Sequence, residues 1–191
     1  MNDKEEDLKS LVNQVKAGNK EAFGKLYDAT IGDVYKNVYF LLSNKDGVDD
    51  LVQEIYMGVY RSLRKFNGDQ PFTPWLIGIA VNQVKSFRRK NWVYERLSRK
   101  VAENERNKEK VAEIITGIEN DFLYQTIEEL PFKLKQVIIL RYVNEYSQEE
   151  VAAILHIPIG TVKSRIHAAL KKLRMSGEKQ KILMRRVGDL S

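Results

Sequence analysis

Residues 130–173, LPFKLKQVIILRYVNEYSQEEVAAILHIPIGTVKSRIHAALKKL, are the part of the chain that most restricts its fold. Ser147 is followed three residues later by Glu150, a capping box in which each side chain satisfies a backbone amide at a helix start. His156-Ile157-Pro158 ends that helix, because proline disfavours helical backbone in the residue before it. Pro158 also suits the first position of a new helix. The pattern predicts two short helices joined by a tight turn.

The second of these helices has one apolar and one basic face. Its apolar positions recur at helical spacing and are predicted to be core: Val162, Ile166, Ala169, Leu170 and Leu173. Its outer positions combine small residues, hydroxyls and cations without a carboxylate: Gly160, Thr161, Lys163, Ser164, Arg165, His167, Ala168 and Lys171. Such a face suits the major groove of DNA, as in a helix-turn-helix. The pattern alone also fits an ordinary helical hairpin with a solvated basic face.

The overall charge favours an anionic partner. The chain of 191 residues has 32 Lys and Arg against 26 Asp and Glu, a formal charge of +6, which fits nucleic acid or an acidic membrane surface. It has no cysteine, which excludes disulfides and thiolate zinc sites. No stretch approaches the roughly 20 apolar residues that span a bilayer, and the start MNDKEEDLKS lacks a signal peptide's features. We therefore expect a cytoplasmic protein.

Residues 1–92 show helical spacing throughout. A short amphipathic helix is predicted to end at Ala17-Gly18-Asn19, and a longer one to run from Phe23 to Leu42. A third helix begins near Asp49, and residues 66–72 form a loop. Thr73 is predicted to cap a fourth helix, with Pro74 at its first position. The fold class is therefore all-α.

The third and fourth helices each carry a polar face. On the third, the apolar Leu51, Ile55 and Val59 lie opposite Asp50, Gln53, Glu54 and Met57. On the fourth, the predicted core side is Leu76, Ile79, Ala80, Gln83, Val84 and Phe87, and the outer side is Asn82, Lys85, Ser86 and Arg89, with Arg88 and Lys90 nearby. Spacing alone is compatible with solvated surfaces in both helices, since acids favour helix starts and cations helix ends.

Several of these stretches resemble one protein family, the bacterial RNA polymerase sigma factors of the extracytoplasmic function group. Leu130-Pro131, Ile139-Leu140-Arg141, residues 147–152 and residues 160–165 resemble that family's region for the minus-35 promoter element. Phe72, Trp75-Leu76, Ile79-Ala80, Asn82 and Arg88-Arg89 are similar to its F-x-x-W-L-x-x-I-A-x-N pattern with a following R-R pair. Residues 49–56 resemble its polymerase-docking segment.

The resemblance implies an alternative sigma factor, which is not an enzyme and needs no cofactor, metal or small-molecule substrate. Its partners would be core RNA polymerase, through the beta-prime clamp helices and the beta subunit, promoter DNA, and an anti-sigma factor that holds it. The factor itself would be stress- or envelope-responsive. The polymerase-facing residues would be Asp50, Gln53 and Glu54. The minus-10 residues would be Asn67, Gly68, Asp69, Gln70, Phe72, Asn82, Lys85, Ser86, Arg88 and Arg89. The minus-35 residues would be Gly160, Thr161, Lys163, Ser164, Arg165, His167 and Lys171.

The predicted organisation is two small helical domains. Residues 1–92 would form sigma region 2, residues 93–120 a charged linker, residues 121–176 sigma region 4, and residues 177–191 a tail without an assigned role. Three positions depart from the family: Glu145 stands where glycine is common, Val48-Asp49 where Ala-Glu is frequent, and Ser86 where aspartate is frequent.

Two other function classes stay open at this stage. A stand-alone helix-turn-helix regulator would bind operators without polymerase. A DNA recombinase with this module at its C-terminus would need a parallel sheet and a nucleophilic serine near its start, whereas the first part of the chain is predicted to be helical. No glycine-rich phosphate loop, metal-spaced cluster or activated nucleophile is found, so we expect no active site.

Overall fold

The computed structural model describes residues 3–97 and 121–188, and every regular element within these two ranges is a helix. The predicted all-α fold class is therefore confirmed. The chain divides into two units, residues 1–116 and 117–191. Most of the predicted linker, residues 98–120, lies outside the described residues, as do residues 189–191 of the tail.

The described part of the first unit, residues 3–97, contains four α-helices and one short 3-10 turn: α1 (Asp3–Lys16), α2 (Lys20–Leu41), α3 (Val48–Ser62), the 3-10 turn (Leu63–Lys65) and α4 (Phe72–Leu97). Between α1 and α2, Gly18 takes a φ of 98°, a left-handed conformation that glycine adopts without steric cost. Asn19 then caps α2, because its side chain accepts from the amides of Glu21 and Ala22 at 3.0 and 3.2 Å. The predicted helix end at residues 17–19 is thus confirmed.

The core of the first unit is formed by the apolar faces of its helices. α2, α3 and α4 contact one another, and α1 packs against α2 and α4. The core side chains include Leu8 and Val12 from α1, Leu26, Val34 and Val38 from α2, and Leu51, Ile55 and Val59 from α3. A buried hydrogen bond also joins α3 to α2, since the Tyr56 and Thr30 hydroxyls lie 2.8 Å apart. Burial raises the pKa of Tyr56. Because the Thr30 hydroxyl donates to the Leu26 carbonyl at 2.7 Å, the Tyr56 phenol is the donor to Thr30.

The start of α4 differs from the prediction. The helix begins at Phe72, so Thr73 and Pro74 lie in its first turn and Thr73 is not its cap. Pro74 is tolerated there because the first amides of a helix have no intrahelical partner. α4 continues to Leu97, which includes the first residues assigned to the linker.

The buried face of α4 is wider than the predicted stripe. Leu76, Ala80 and Val84 are buried as predicted, but Ile77 and Val81 are fully buried beside them. The reason is that α4 contacts α1, α2 and α3, so it is covered over a broader arc than a helix with one neighbour.

Residues 121–188 of the second unit form four α-helices and a π-helical turn: α5 (Asp121–Glu128), α6 (Phe132–Ile138), the π turn (Ile139–Val143), α7 (Gln148–Leu155) and α8 (Ile159–Gly188). Ile127, Leu130, Ile138 and Ala169 form one buried cluster, against which Leu134, Leu170 and Leu173 pack. The predicted core positions Val162 and Ile166 of α8 are also buried. α8 runs through Gly177, so the predicted tail begins as a continuation of this helix.

The predicted turn between α7 and α8 is present, with a shift of one residue. The capping box is confirmed, since the Ser147 hydroxyl accepts from the Glu150 amide at 3.1 Å and the Glu150 carboxylate accepts from the Ser147 amide at 2.8 Å. His156 ends α7 with a φ of 52°. Pro158 precedes α8 rather than occupying its first position, and its carbonyl accepts from the Thr161 amide at 2.8 Å.

Within the described ranges, no helix combines the length and the hydropathy needed to cross a bilayer. The same residues contain no cluster of His, Asp and Glu arranged to hold a metal ion.

Candidate functional site

The outer face of α3 exposes acidic, amide and apolar groups together. Asp50, Gln53 and Glu54 are all exposed, and Met57 on the same face is 57% exposed. Tyr60, at the edge of that face, is 50% exposed. Tyrosine and methionine are enriched at protein interfaces, so these two exposed side chains favour a binding surface over a merely solvated helix. We call these five residues the docking face.

Tyr60 is the member of the docking face that the sequence analysis missed. It lies seven residues after Gln53, a spacing of two helical turns, and this is the signal that could have found it. Its ring packs edge-on against Phe23 of α2, with 4.9 Å between centroids, which fixes its position on the surface.

Residues 67–71 form an exposed loop between the 3-10 turn and α4. Asn67, Gly68, Asp69 and Gln70 are all exposed, and Gly68 has a φ of 83°. The Asn67 side chain donates to the Asp69 carboxylate and accepts from the Asp69 amide at 3.3 Å. The loop therefore holds its own turn while it presents amide and carboxylate groups to solvent.

A groove of about 240 Å³ lies beside this loop. One wall is made by residues 68–72 and the other by Glu5, Glu6 and Lys9 of α1. Amide, carboxylate and ammonium groups of this kind can hydrogen-bond the edge of an unstacked nucleobase. The groove brings together Gly68, Asp69, Gln70 and Phe72 of the predicted minus-10 set, without Asn67, and three residues of α1 that the sequence analysis did not assign to any site.

Aromatic side chains form the floor beneath the loop. The ring centroids of Phe66 and Phe72 are 5.6 Å apart, and that of Trp75 lies 4.9 Å from Phe66 and 5.6 Å from Phe72. Phe72 is only 2% exposed, because it fills a core position at the first turn of α4. Its ring therefore supports the loop from below and offers no open face on which a base could stack.

Two contacts from α1 hold the ends of the loop. The Glu5 carboxylate accepts from the amides of Phe72 and Thr73 at 2.9 and 3.2 Å, which caps α4. The Lys16 ammonium donates to the Phe66 carbonyl and lies 5.5 Å from the centre of the Phe66 ring. No local sequence pattern could have found these contacts, because Glu5 and Phe72 are 67 residues apart.

The second half of α4 presents a basic surface. Asn82 and Arg89 are exposed, and Lys85, Ser86 and Arg88 are half-buried. Helical spacing places Asn82, Lys85, Ser86 and Arg89 on one face with Arg88 beside them. The Lys85 ammonium donates to the Asn82 side-chain oxygen at 3.4 Å. Cations on this face are suited to phosphates.

The outer face of α8 is also basic. Gly160, Lys163, Ser164, His167 and Lys171 are exposed, and Thr161 and Arg165 are half-buried. The first turn contains no acidic residue, so the helix start is open to an anion. Ile159 is 37% exposed beside these groups. From the sequence, Ile159 is assigned neither to the core stripe nor to the outer face of this helix.

The segment before α7 sets the entry to the helix pair. An Arg141 guanidinium nitrogen donates to the Tyr146 carbonyl at 3.1 Å, which ties the π turn to the residue preceding the Ser147 cap. Between them, Glu145 takes a φ of 61°. This left-handed backbone is unfavourable for a residue with a side chain, and it explains why glycine is common at the equivalent place in the family that the sequence resembles.

Family models match both units of the chain. The model "Sigma-70 region 2" matches residues 26–93, and the model "Sigma-70, region 4" matches residues 123–173. Among curated relatives, the chain is 33% identical over 178 residues to the ECF RNA polymerase sigma factor SigW of Bacillus subtilis (strain 168), covering 87% of this chain and 95% of the relative. It is 35% identical over 170 residues to the ECF RNA polymerase sigma-E factor of Escherichia coli (strain K12), covering 83% of this chain and 88% of the relative.

Solved structures share the fold. CnrH, in complex with the cytosolic domain of CnrY, aligns with a TM-score of 0.66 at 24% identity, covering 91% of this chain and 98% of CnrH. The sigma factor RpoE from Bartonella quintana, in complex with the anti-sigma factor NepR, aligns with a TM-score of 0.67 at 23% identity, covering 82% of this chain and 96% of RpoE.

Proposed function

The chain belongs to the extracytoplasmic function group of the sigma-70 family, and from this premise we propose how its two units bring core RNA polymerase to promoters. As a member of that group it is an alternative sigma factor. One observation carries the proposal: the same chain combines an exposed docking face on α3, a loop and basic helix after it, and a basic helix-turn-helix. The first surface suits core polymerase, and the other two suit separate elements of promoter DNA.

We assign the docking face to core polymerase. Asp50, Gln53 and Glu54 would meet the beta-prime clamp helices, with Met57 and Tyr60 supplying the apolar contact area. The acidic residues lie in the first half of α3, whose buried side is fixed by Leu51, Ile55 and Val59. Carboxylates on a rigid helix orient a basic partner as it docks and raise its association rate. The second unit would contact the beta subunit.

We assign the first unit's loop and basic helix to the minus-10 element. The exposed polar groups of Gly68, Asp69 and Gln70 line a groove in which a flipped base can be read, and Asn67 is hydrogen-bonded to Asp69 beside it. The cations of α4, together with Asn82 and Ser86, would hold the phosphates of the separated strand. Phe72 serves this surface through the loop that it supports, since its ring is buried.

We assign the helix-turn-helix to the minus-35 element. Gly160, Thr161, Lys163 and Ser164 lie in the first turns of α8, the part of a recognition helix that contacts base edges. Arg165, His167 and Lys171 continue this surface toward the backbone. A lysine can hydrogen-bond guanine or a phosphate, and a hydroxyl can hydrogen-bond a base edge or a phosphate.

The three surfaces just assigned suggest how the chain is divided into domains. Residues 1–92 would act as region 2 and residues 121–176 as region 4, joined by residues 93–120; residues 177–191 have no assigned role. A linker rich in charged residues lets each unit reach its own promoter element. The factor would act in the cytoplasm, where polymerase and chromosome lie, and would leave the chemistry of nucleotide addition to the polymerase without a cofactor or small-molecule substrate of its own.

We propose further that a protein inhibitor, an anti-sigma factor, restrains this chain. The docking face and the basic faces of α4 and α8 are exposed, so a free factor is open to wrong partners, including bulk DNA held by counterion release. The similar fold of RpoE was solved with the anti-sigma factor NepR. Affinity purification from uninduced native cells should recover a stoichiometric third protein besides polymerase. Recovery of only free factor and polymerase complex would place the regulation elsewhere.

The alternatives differ in measurable ways. A recombinase is disfavoured, because residues 3–97 contain only helices where a parallel sheet would be needed. A stand-alone regulator would bind promoter duplex tightly by itself. We therefore expect fluorescence anisotropy with a labelled promoter to show weak, salt-sensitive binding by the purified chain and specific binding once core polymerase is added. Tight specific binding without polymerase would favour the regulator.

A further inference from the structure

Four residues of α1 form a face that joins the helix to the loop of residues 67–71. Glu5, Leu8, Val12 and Lys16 recur at helical spacing, so they lie along one side of α1. Leu8 and Val12 are each 1% exposed, which anchors the helix in the core of the first unit. The charged residues at either end of this face are Glu5 and Lys16, which make the two contacts with the ends of the loop.

Both ends of the loop are therefore held by residues of α1. Lys16 holds the Phe66 carbonyl before it, and Glu5 holds the Phe72 and Thr73 amides after it. Hydrogen bonds to an ionised carboxylate are stronger than neutral ones, and a carboxylate at a helix start also gains from the helix dipole. Since Thr73 lies inside the first turn, the cap of α4 comes from α1 and not from the loop itself.

α1 also contributes a wall of the groove. Glu6 and Lys9 face the loop residues 68–72 across the groove of about 240 Å³. A shift of α1 would change both the position of the loop and the width of the groove. α1 lies outside residues 26–93, the range matched by the region 2 model, so that match assigns it no part in promoter recognition.

We propose that α1 positions the minus-10 loop, with Glu5 and Lys16 as positioning residues that set promoter discrimination without contacting polymerase. The inference rests on the proposed function of that loop. When either contact is removed, the loop samples a wider range of positions, and the correct base loses its advantage over a wrong one. Because Glu5 and Lys16 lie away from the docking face on α3, affinity for core polymerase should not change.

The test compares single variants of the full-length factor. Glu5→Ala removes both acceptors, Glu5→Gln keeps one neutral acceptor, and Lys16→Met keeps the aliphatic stem but removes the donor. Asp7→Ala and Lys25→Met are matched controls, because they make the same charge changes at exposed positions of α1 and α2. The measured quantity is the ratio of open-complex formation on a preferred promoter to that on the same promoter with one minus-10 base changed. Affinity for core polymerase is measured in parallel.

We expect Glu5→Ala and Lys16→Met each to lower this ratio about tenfold, which corresponds to about 1.4 kcal/mol of discrimination. Glu5→Gln should give a smaller loss, and both controls should keep the wild-type ratio. If Glu5→Ala does not fold, Lys16→Met still tests the inference. Lys16 bonds the Phe66 carbonyl, which is not part of α4, so its loss leaves the cap of that helix in place.

Equal losses on both promoters would overturn the inference and leave α1 a purely structural helix. An unchanged ratio in Glu5→Ala and Lys16→Met would also overturn the inference. In either case, open complexes formed by the wild-type factor would still support the proposed function. If the wild-type factor forms no open complex with core polymerase on any genomic promoter, the proposed function fails and this inference fails with it.

Discussion

The ammonium of Lys135 donates to the Glu128 carboxylate at 2.9 Å, and the lysine side chain is only 2% exposed whereas that of Glu128 is 21% exposed. The pair joins α5 to α6 in the second unit. The two partners are not equivalent, because a buried ammonium that loses its counterion cannot reach water, while a partly exposed carboxylate can.

This asymmetry predicts unequal effects of two substitutions. Glu128→Ala should destabilise the second unit by about 2 to 4 kcal/mol, since it leaves Lys135 buried and unpaired. Lys135→Met, which fills the same space with an apolar side chain, should change stability by less than about 1 kcal/mol. Native-state hydrogen exchange of amides in α6 and α8 measures both. Equal losses in the two variants would refute the asymmetry.

Glu145 provides a second stability prediction. Its φ of 61° is strained for a residue with a side chain, so Glu145→Gly should stabilise the second unit by about 0.5 to 1 kcal/mol. The matched control is Glu149→Gly, an exposed glutamate in the first turn of α7 with helical backbone, where glycine should instead destabilise by a similar amount. The same exchange measurement applies. A loss of stability in both variants would contradict the strain at Glu145.

The docking face predicts a charge-dependent loss of polymerase binding. Asp50→Arg and Glu54→Arg should each weaken binding to core polymerase at least about tenfold, because a cation then faces a basic surface and like-charge contacts cost several kcal/mol. Met57→Ala should weaken binding less, by loss of apolar contact area. Asp28→Arg, at an exposed position on α2, is the control for the charge change. If all three arginine variants bind alike, the docking face has been placed on the wrong helix.

The recognition surface of α8 predicts a loss of DNA binding when its cations are removed. If the side chain reads a base edge, Lys163→Ala and Arg165→Ala should weaken binding to minus-35 duplex by about 1 to 3 kcal/mol. If it contacts only phosphate, each substitution should weaken binding to all duplex sequences to a similar extent. Lys133→Ala, at an exposed position on α6, is the control for the loss of a positive charge and should have little effect. Unchanged minus-35-dependent transcription in Lys163→Ala and Arg165→Ala would refute the assignment.

Features that depend on nearby residues could be predicted from the sequence. The capping box of Ser147 and Glu150, the end of α7 at His156 and the exposed acids of α3 all follow from spacings of one or two helical turns. The same holds for the core stripe of α8, in which Val162, Ile166 and Ala169 are buried at helical spacing.

Features that depend on packing between distant parts of the chain could not be predicted from the sequence. The prediction that Thr73 caps α4 was wrong, because Glu5 of α1 supplies the cap from a position that no sequence spacing relates to it. The burial of Ile77 and Val81 depends on three helices meeting around α4. Phe72 matched a family pattern, yet whether its ring faces a base or the core is decided by Phe66 and Trp75 beneath the loop.

The central claim is that this chain directs core RNA polymerase to promoters, and transcription in vitro on genomic DNA tests it most directly. Core polymerase is assayed alone, with the factor, and with the Glu54→Arg variant. The account predicts a discrete set of new transcription starts that appears only with the wild-type factor, preceded by shared minus-35 and minus-10 sequences. The same transcripts with and without the factor, under conditions in which the chain is folded and bound to DNA, would contradict it.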